Sequence, residues 1–223
     1  MTPRTVGVIF SQADLRRALR LRKPPDLFEL RLDALVPCLD EVRRVVGELR
    51  APLIITARHP SEGGAHHLST EQRRALLIEF LPRARFLDVE LRSVPAFRSV
   101  LETAAQKKIK AILSFHNFQA MPSLTHLNRL TARAGSLGAA FLKIAVRTDT
   151  RAQLDNLLQF FETHRRARTI VAMGMGRLGR RSRLELFRRG CPLNYVHLGS
   201  QVAAGQLSLD ELRRFAGRAQ AVF

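Results

Sequence analysis

Two apolar segments, IKAILSFHNF at residues 109–118 and AAFLKIAV at residues 139–146, flank an amphipathic stretch at residues 124–134. Apolar residues in that stretch recur every three or four positions, which predicts a helix between two buried strands. A strand, a helix and a second strand in this order form a βαβ unit, in which the two strands run parallel. The segment therefore predicts one unit of a parallel α/β sheet that is covered on both faces.

The same alternation extends in both directions along the chain. Six more apolar runs, TVGVIF, DLFELRLD, PLIITAR, FLDVELR, TIVAMGMG and PLNYVHLG, bring the number of predicted strands to eight. The spacing of apolar residues predicts helices over residues 13–21, 40–49, 70–81, 96–106, 124–134, 151–164, 182–189 and 209–222. Ser69 with Gln72, and Ser208 with Glu211, have the spacing of capping boxes at helix starts.

Eight βα units in 223 residues predict the α/β class and a single (β/α)8 TIM barrel that spans residues 1–223 as one domain. An open, doubly wound sheet is the rival arrangement. Its usual marker is a glycine-rich phosphate-binding turn, and MGMGRLG after the seventh run is the nearest approach. Because a lone glycine-rich turn is a weak signal, the barrel is the favoured fold.

The formal net charge of +18 at pH 7 is compatible with binding to nucleic acid, to an anionic membrane or to acidic substrates. The arginines lie on helix-like segments rather than in one dense tail. Tryptophan is absent and Tyr195 is the single tyrosine. Nucleic-acid sites that stack bases place aromatic side chains among their basic residues. We therefore predict no nucleic-acid partner and an arginine-rich, well-solvated surface.

The chain has no run of about 18 apolar residues, and its first ten residues do not have the pattern of a secretory signal. We therefore predict a cytoplasmic protein with no membrane partner. Cys38 and Cys191 are far apart and have no CxxC spacing, which predicts two buried thiols and no disulfide. The histidines show no HExxH or repeated His/Cys spacing, so no metal is predicted.

Lys143 is one of five lysines, and it alone lies inside an apolar run, AAFLKIAV. A lysine in a buried strand is either paired with a carboxylate or kept neutral by burial, and the neutral amine can attack a ketone. In a chain that uses arginine for most cations, a lysine here favours an amine that can lose a proton. Lys143 is therefore a candidate for imine formation, with a structural ion pair as the alternative.

His116 ends the strand before that of Lys143, so both side chains are predicted to face one pocket. Histidine titrates near neutrality and can both remove and return a proton. More charged residues lie at or near the ends of the other predicted strands: Glu29, Arg31, Arg58, Glu62, Asp88, Glu90 and Arg183. Guanidinium groups bind carboxylates through two hydrogen bonds, so these arginines are candidates for holding an acidic substrate.

Seven motifs, ELRLD, TARHPSEGG, DVEL, SFHNF, LKIAV, MGRLGRRSR and AAGQLS, span residues 29–208 in this order. Together they resemble the type I 3-dehydroquinate dehydratases, lyases of the shikimate pathway. TxRxxxEGG and GxxSR are fairly specific, and their joint order with the histidine and lysine strands is very specific. The resemblance implies conversion of 3-dehydroquinate to 3-dehydroshikimate without metal or organic cofactor. It also implies a homodimer.

By this resemblance, Lys143 forms a Schiff base with the substrate ketone and His116 acts as general acid/base, supported by Glu62. The imine is the electron sink that makes the C2 proton acidic. The resemblance also implies five substrate-binding residues: Arg183 and Gln206 at the carboxylate, and Glu29, Arg31 and Arg58 at the ring hydroxyls.

Two positions depart from the pattern of the family. Val202 stands where a serine usually precedes the glutamine by four residues, and the first strand, VGVIF, has no serine. Each missing hydroxyl removes a hydrogen bond of about 0.5–1.5 kcal/mol. Two alternatives stay open from this observation: weaker binding of the same substrate, or a different acid as substrate.

Two other functions compete with this interpretation. A class I aldolase would share the lysine, but normally needs a phosphate site after the seventh or eighth strand, which Arg183 and the glycine-rich turn could imitate. A basic nucleic-acid-binding protein or a catalytically silent barrel is the rival from a different class. Turnover of 3-dehydroquinate separates all of these from the dehydratase.

Overall fold

Eight parallel strands form one sheet that curls into a nearly closed barrel. The computed structural model describes residues 3–167 and 169–220. Hydrogen-bonded ladders join the strands in the order β7-β6-β5-β4-β3-β2-β1-β8, so β7 and β8 meet at a seam. The strands are β1 Arg4–Ile9, β2 Leu27–Arg31, β3 Leu53–Thr56, β4 Ala84–Glu90, β5 Lys110–Asn117, β6 Phe141–Arg147, β7 Ile170–Met175 and β8 Leu193–His197. The predicted barrel is confirmed.

Helices follow the strands and cover the outside of the barrel. Ser69 and Gln72 form the predicted capping box at the start of α4. Ser208 and Glu211 exchange the two predicted hydrogen bonds before α9, at 2.7 and 3.1 Å. The helices are α1 Gln12–Arg20, α2 Leu32–Leu35, α3 Leu39–Val45, α4 Thr70–Phe80, α5 Arg98–Gln106, α6 Leu124–Ser136, α7 Arg151–His164, α8 Gly179–Arg188 and α9 Leu209–Gln220.

Two layers of burial hold the fold together. Between the strands and the helices, apolar side chains such as Leu15, Leu77 and Phe160 are fully buried. Inside the barrel, the Arg4 guanidinium lies 5.5 and 5.8 Å from the ring centroids of Phe86 and Phe141, near the amino ends of the strands. Aromatic rings around one arginine fill this end of the barrel, and the carboxyl ends of the strands are the place for a ligand pocket.

Parallel pairing aligns polar residues across neighbouring strands. Arg31 pairs with Thr56, and Thr56 pairs with Asp88, across β2, β3 and β4. On the other side of β5, Ser114 pairs with Lys143 of β6. Residues paired in this way lie on the same face of a sheet, so the register collects these polar groups inside the barrel.

Several predicted boundaries change. The run DLFELRLD is not a strand throughout, because β2 ends at Arg31 and the chain turns directly into the short helix α2. The seventh long helix begins at Gly179 rather than residue 182, which places Arg183 in its second turn. The predicted last helix, 209–222, is found over Leu209–Gln220, and residues 221 and 222 lie outside the described residues. Cys191 is buried as predicted, but Cys38 is partly exposed.

Candidate active site

Lys143 lies in the middle of β6, and its side chain is only 5% exposed. Its Nζ donates hydrogen bonds to Glu29 Oε1 at 3.1 Å and to Asp88 Oδ2 at 3.0 Å. The same nitrogen lies 4.1 Å from the centroid of the Tyr195 ring. Of the two states predicted for this lysine, the structure shows the paired one. Two carboxylates and an aromatic face hold the nitrogen at a fixed point inside the barrel.

Arg58, just past the end of β3, is the centre of a buried network. Its Nη2 lies 2.9 Å from Asp88 Oδ1, and its Nη1 lies 3.0 Å from Glu90 Oε1. Ser114 Oγ donates to the same Asp88 oxygen at 2.7 Å. Burial alone would raise the pKa of Asp88, but the charges of Arg58 and Lys143 outweigh it and lower that pKa to about 2. Asp88 therefore stays ionised beneath the lysine at neutral pH.

Arg31 is fixed by Asp33, which the turn into α2 brings back over the end of the strand. Arg31 donates from Nε and Nη2 to the two carboxylate oxygens of Asp33, at 3.0 and 2.8 Å. Asp33 also accepts from the backbone N–H groups of Arg58 and Ala65, both at 3.0 Å. Burial opposes ionisation of Asp33, but Arg31 and these N–H groups lower its pKa. These hydrogen bonds of Asp33 fix the end of β2 against the loop after β3.

Buried Glu62 and half-buried His116 form a pair at the mouth of the pocket. Glu62 Oε2 accepts from the backbone N–H of His116 at 2.9 Å and lies 3.0 Å from Nδ1 of its ring. Burial raises the pKa of Glu62 to about 7. Burial, helped by the positive charges of Arg58, Lys143 and Arg31, lowers the pKa of His116 well below its ordinary value. Because Nδ1 faces the carboxyl, Nε2 is the ring nitrogen left to exchange protons with a ligand.

Two glycines allow Glu62 to reach the histidine strand. Gly63 has a φ of +85°, and a Cβ on it would lie 2.7 Å from Cζ of Phe118. A Cβ on Gly64 would lie 2.2 Å from the carbonyl oxygen of Arg58. Both positions exclude a side chain, so the EGG motif has a steric reason: it folds the loop tightly enough to place Glu62 against β5.

Arg183 in α8 is a buried cation that has no counter-ion among the described residues. Its side chain lies against β8, where Nη1 donates to the Tyr195 carbonyl at 3.3 Å, and Nε has no partner. Within the described part of the chain, Arg183 takes part in no ion pair. Burial lowers the pKa of its guanidinium to about 10. A buried guanidinium in this state is a strong site for a carboxylate, since an anion would supply the missing charge and acceptors.

Gln206 closes the same side of the pocket from the loop before α9. It is 4% exposed, and its Oε1 accepts from the backbone N–H of Val202 at 2.9 Å. That bond fixes which way the amide points, and so leaves the amide nitrogen as the group available to a ligand.

One pocket at the carboxyl ends of the strands contains all eight predicted site residues. They are Glu29, Arg31, Arg58, Glu62, His116, Lys143, Arg183 and Gln206. Its other walls are Val8, Gly63, Phe118, Ala145, Met173, Met175, Tyr195, Val202 and Ala203. His116 and Lys143 lie on adjacent strands, as predicted. The two positions without the expected serine hydroxyls, Val202 and the first strand, also line this pocket.

A larger groove, of about 590 Å³, lies between α5 and α6 near the amino end of β5. A functional site at the amino end of a barrel strand is unusual, because barrel active sites are built from the loops at the carboxyl ends of the strands. The groove also contains none of the predicted site residues.

In residues 3–167 and 169–220, no group of three or more side chains is arranged to hold a metal ion. None of the helices described has the length and hydropathy of a membrane span.

Sequence reasoning missed Tyr195, which contacts Lys143, and four residues that hold the charged groups in place. Thr56 donates to Glu29 Oε1 at 3.0 Å, and Ser114 bonds Asp88. Asp33 lies inside the quoted ELRLD motif, and its position next to a strand end was the signal that could have found it. Arg73 of α4, which donates to Ala57 O at 2.8 Å and pairs with Glu90, had no signal, because its partners come from other elements.

A nearly closed barrel whose polar pocket contains a buried lysine, a histidine and an arginine without a counter-ion in the described part of the chain defines a (β/α)8-barrel enzyme for a small anionic substrate. The family model described as Type I 3-dehydroquinase matches residues 10–218. The chain belongs to this family of lyases, which dehydrates 3-dehydroquinate in aromatic biosynthesis.

Relatives and solved structures agree with the family model. The 3-dehydroquinate dehydratase of Thermococcus onnurineus is 33% identical over 214 residues, which cover 94% of this chain and 95% of that protein. The enzyme of Methanothermobacter thermautotrophicus is 32% identical over 193 residues, covering 86% and 84%. A Clostridium difficile type I enzyme, solved with covalent modified comenic acid, has a TM-score of 0.87 and 27% identity, and covers 100% of this chain and 94% of its own.

Proposed function

We propose that this protein dehydrates 3-dehydroquinate to 3-dehydroshikimate through a Schiff base on Lys143, with His116 as general acid/base. The observation that carries the proposal is one shared pocket, lined by the lysine and histidine of adjacent strands and by a buried arginine that has no carboxylate partner among the described residues. The lysine can bind a ketone covalently, the histidine can move a proton, and the arginine can hold a carboxylate. The covalent modification reported for the Clostridium difficile enzyme supports covalent chemistry in this family.

Schiff-base formation needs no proton from outside the pocket. The Lys143 ammonium and the C3 ketone combine to give a protonated imine and one water, so two of the three ammonium protons leave with the ketone oxygen. The positive charge stays on the nitrogen. Glu29 and Asp88, which bond Nζ at 3.1 and 3.0 Å, therefore stabilise the protonated imine as they stabilise the ammonium ion.

Dehydration then moves one proton twice. Nε2 of His116 removes a C2 proton, and the electron pair of the C–H bond forms the C2–C3 double bond of an enamine while the imine nitrogen becomes neutral. The enamine electrons then form the C1–C2 double bond as the C1 hydroxyl leaves, taking the proton from His116. Water hydrolyses the imine, which releases the product and the free lysine.

The pH dependence should follow Glu62. An ionised Glu62 accepts the Nδ1 proton of His116 and leaves Nε2 free as the base, whereas a protonated Glu62 does not. Since the pKa of Glu62 is raised to about 7 and that of His116 is lowered, kcat/KM should fall as the pH drops below about 7. Glu62→Gln should remove this fall and lower the plateau about 10- to 100-fold, the effect of losing one charge-assisted hydrogen bond. Equal pH profiles for the two proteins would contradict the assignment.

Arg183→Lys should weaken carboxylate binding although the charge is kept, because the guanidinium fork is lost. We expect the Kd for 3-dehydroshikimate and the KM for substrate to rise about 10- to 100-fold, as one charge-assisted bond disappears. Arg181→Lys, two positions away on the exposed side of α8, is the matched control and should bind like the wild type. Unchanged binding by the Arg183 variant would show that the carboxylate anchor lies elsewhere.

A direct assay tests the whole proposal. Dehydration of 3-dehydroquinate forms a conjugated enone acid, whose ultraviolet absorbance rises with turnover. A class I aldolase would instead release two fragments, and a silent barrel or a nucleic-acid-binding protein would leave the substrate unchanged and bind DNA in a salt-sensitive way. The absence of a nucleic-acid partner, the cytoplasmic location and the homodimer stay predictions.

A further inference from the structure

Tyr195 is the single tyrosine of the chain, and its buried hydroxyl has no hydrogen-bond partner among residues 3–167 and 169–220. The residue lies in β8, is 5% exposed, and presents its ring face to Lys143 Nζ at 4.1 Å from the centroid. Burial, together with the negative charges of Glu29 and Asp88, raises the pKa of the phenol well above its ordinary value. The hydroxyl therefore stays protonated and remains a hydrogen-bond donor next to the reactive nitrogen.

An unsatisfied buried hydroxyl costs the folded state, while phenylalanine would keep the ring and remove the cost. Folding therefore gives no reason for the hydroxyl at this position. The pocket gives a reason for the hydroxyl, because Tyr195 is the one described lining residue that carries a hydroxyl. Val8 of β1, next to β8, and Val202, before α9, carry none. Tyr195 lines this pocket and its buried donor has no partner among the described residues, so a bound ligand can supply the missing acceptor.

We propose that Tyr195 is a further catalytic residue, whose hydroxyl donates a hydrogen bond to the substrate's ketone oxygen while Lys143 Nζ adds to the ketone carbon. The inference rests on the proposed Schiff-base function. One ammonium proton first passes to a carboxylate that bonds Nζ, Glu29 or Asp88, which leaves the nitrogen with the electron pair that forms the C–N bond. The C=O π electrons move onto the oxygen, which takes one proton from the nitrogen to give a carbinolamine. The oxygen then takes the proton held by the carboxylate, the nitrogen electron pair forms the C=N bond as the C–O bond breaks, and water leaves the protonated imine. Tyr195 keeps its own proton throughout.

The place of the Tyr195 hydroxyl suits a hydrogen bond to the ketone oxygen of the substrate and not one to Lys143 Nζ. A ring lying face-on to Nζ carries its hydroxyl at the ring edge, to one side of the nitrogen. The ketone oxygen is bonded to the carbon that Nζ attacks, so it lies one bond further out than that carbon. A donor at the ring edge can reach this oxygen at about 2.5–3.0 Å, the distance of an O–H···O bond, while the ring face continues to contact the nitrogen. Glu29 and Asp88 accept from the nitrogen on its other sides.

Tyr195→Phe tests the hydroxyl while keeping the ring. The rate of forming the borohydride-trappable adduct with 3-dehydroquinate should fall at least about 10-fold, the effect of one lost hydrogen bond to an oxygen that gains charge. The isotope effect with substrate deuterated at C2 should shrink, because adduct formation becomes slower than proton removal. The Kd for 3-dehydroshikimate, which carries the same ketone, should rise by no more than about 10-fold, the effect of one neutral hydrogen bond, and the Tm should be unchanged or higher.

Each result decides between the alternatives. A small cavity of about 10 Å³ at the β7–β8 seam is also lined by Tyr195 and Arg183, and has room for one water. If the hydroxyl only binds such a water, Tyr195→Phe will form the borohydride-trappable adduct at the wild-type rate and show the wild-type isotope effect. In that case the Tyr195 proposal is wrong, while the dehydratase function stands. If the wild type neither turns over nor traps 3-dehydroquinate, the function itself fails, and the Tyr195 proposal fails with it.

Discussion

Lys143→Arg is expected to abolish dehydration of 3-dehydroquinate, lowering kcat by more than about 10⁴-fold, because loss of a covalent nucleophile removes the whole pathway that depends on it. Arginine keeps a positive charge between Glu29 and Asp88, so the two buried carboxylates retain a cation. The guanidinium stays protonated and cannot form an imine. Loss of activity in a folded variant would therefore report the lost amine and not a lost ion pair.

Borohydride reduction tests the same covalent step through the mass of the protein. With wild-type protein and substrate, the imine should be reduced to a stable secondary amine that adds the mass of one reduced ligand and blocks turnover. The label should map to the peptide that contains Lys143, and the Lys143 variant should not label. Lys110→Arg is the matched control, since Lys110 is exposed at the start of β5 and should not affect labelling or turnover. Turnover without label, or label at Lys107, Lys108 or Lys110, would refute the Schiff base.

His116→Ala is expected to lower kcat by about 10²- to 10⁴-fold, the contribution of a positioned general acid/base. Adduct formation should survive, because the amine and the ketone react without the histidine. Borohydride should therefore label the His116 variant at Lys143 while almost no product forms. The two variants thus separate the covalent step from the proton-transfer step.

His164→Gln is the control for the histidine, because His164 lies on α7, far from the pocket residues, and bonds Asn128 at 2.9 Å. It should dehydrate the substrate at the wild-type rate. If His116→Ala also keeps near wild-type turnover, the proton is moved by another group, and the pairing of His116 with Glu62 has a structural role only. If it loses labelling as well, His116 is required before the imine forms.

The balance of charge in the pocket explains why one cation is available to a substrate. Arg31 is satisfied by Asp33, and Arg58 by Asp88 and Glu90. Buried ions are stable only when paired and hydrogen-bonded, so these arginines are held in place and have little freedom to move. Arg183 has no such carboxylate in the described residues. An acidic ligand would therefore complete the pocket at Arg183, while the other cations shape it.

The sequence by itself determined the fold and the place of Lys143 and His116 on neighbouring strands. Eight apolar runs alternating with helix-period segments indicate a parallel barrel, since the periodicity of a segment reports how it is buried. The carboxyl ends of the strands in such a barrel meet at one face, which is why Lys143 and His116 could be assigned to one pocket. These inferences need only local pattern and strand order.

Only the tertiary structure decided the state of each charged group. The partners of Lys143 are Glu29, 114 residues away, and Asp88, 55 residues away. Which carboxylate meets which cation depends on the stagger of strands around the barrel, and no local pattern encodes that register. The unpaired guanidinium of Arg183 and the free hydroxyl of Tyr195 are likewise visible only when the surrounding atoms are placed. Hydrogen-bond geometry and burial act through space over a few ångströms, so the chemistry of this site emerges when the barrel closes.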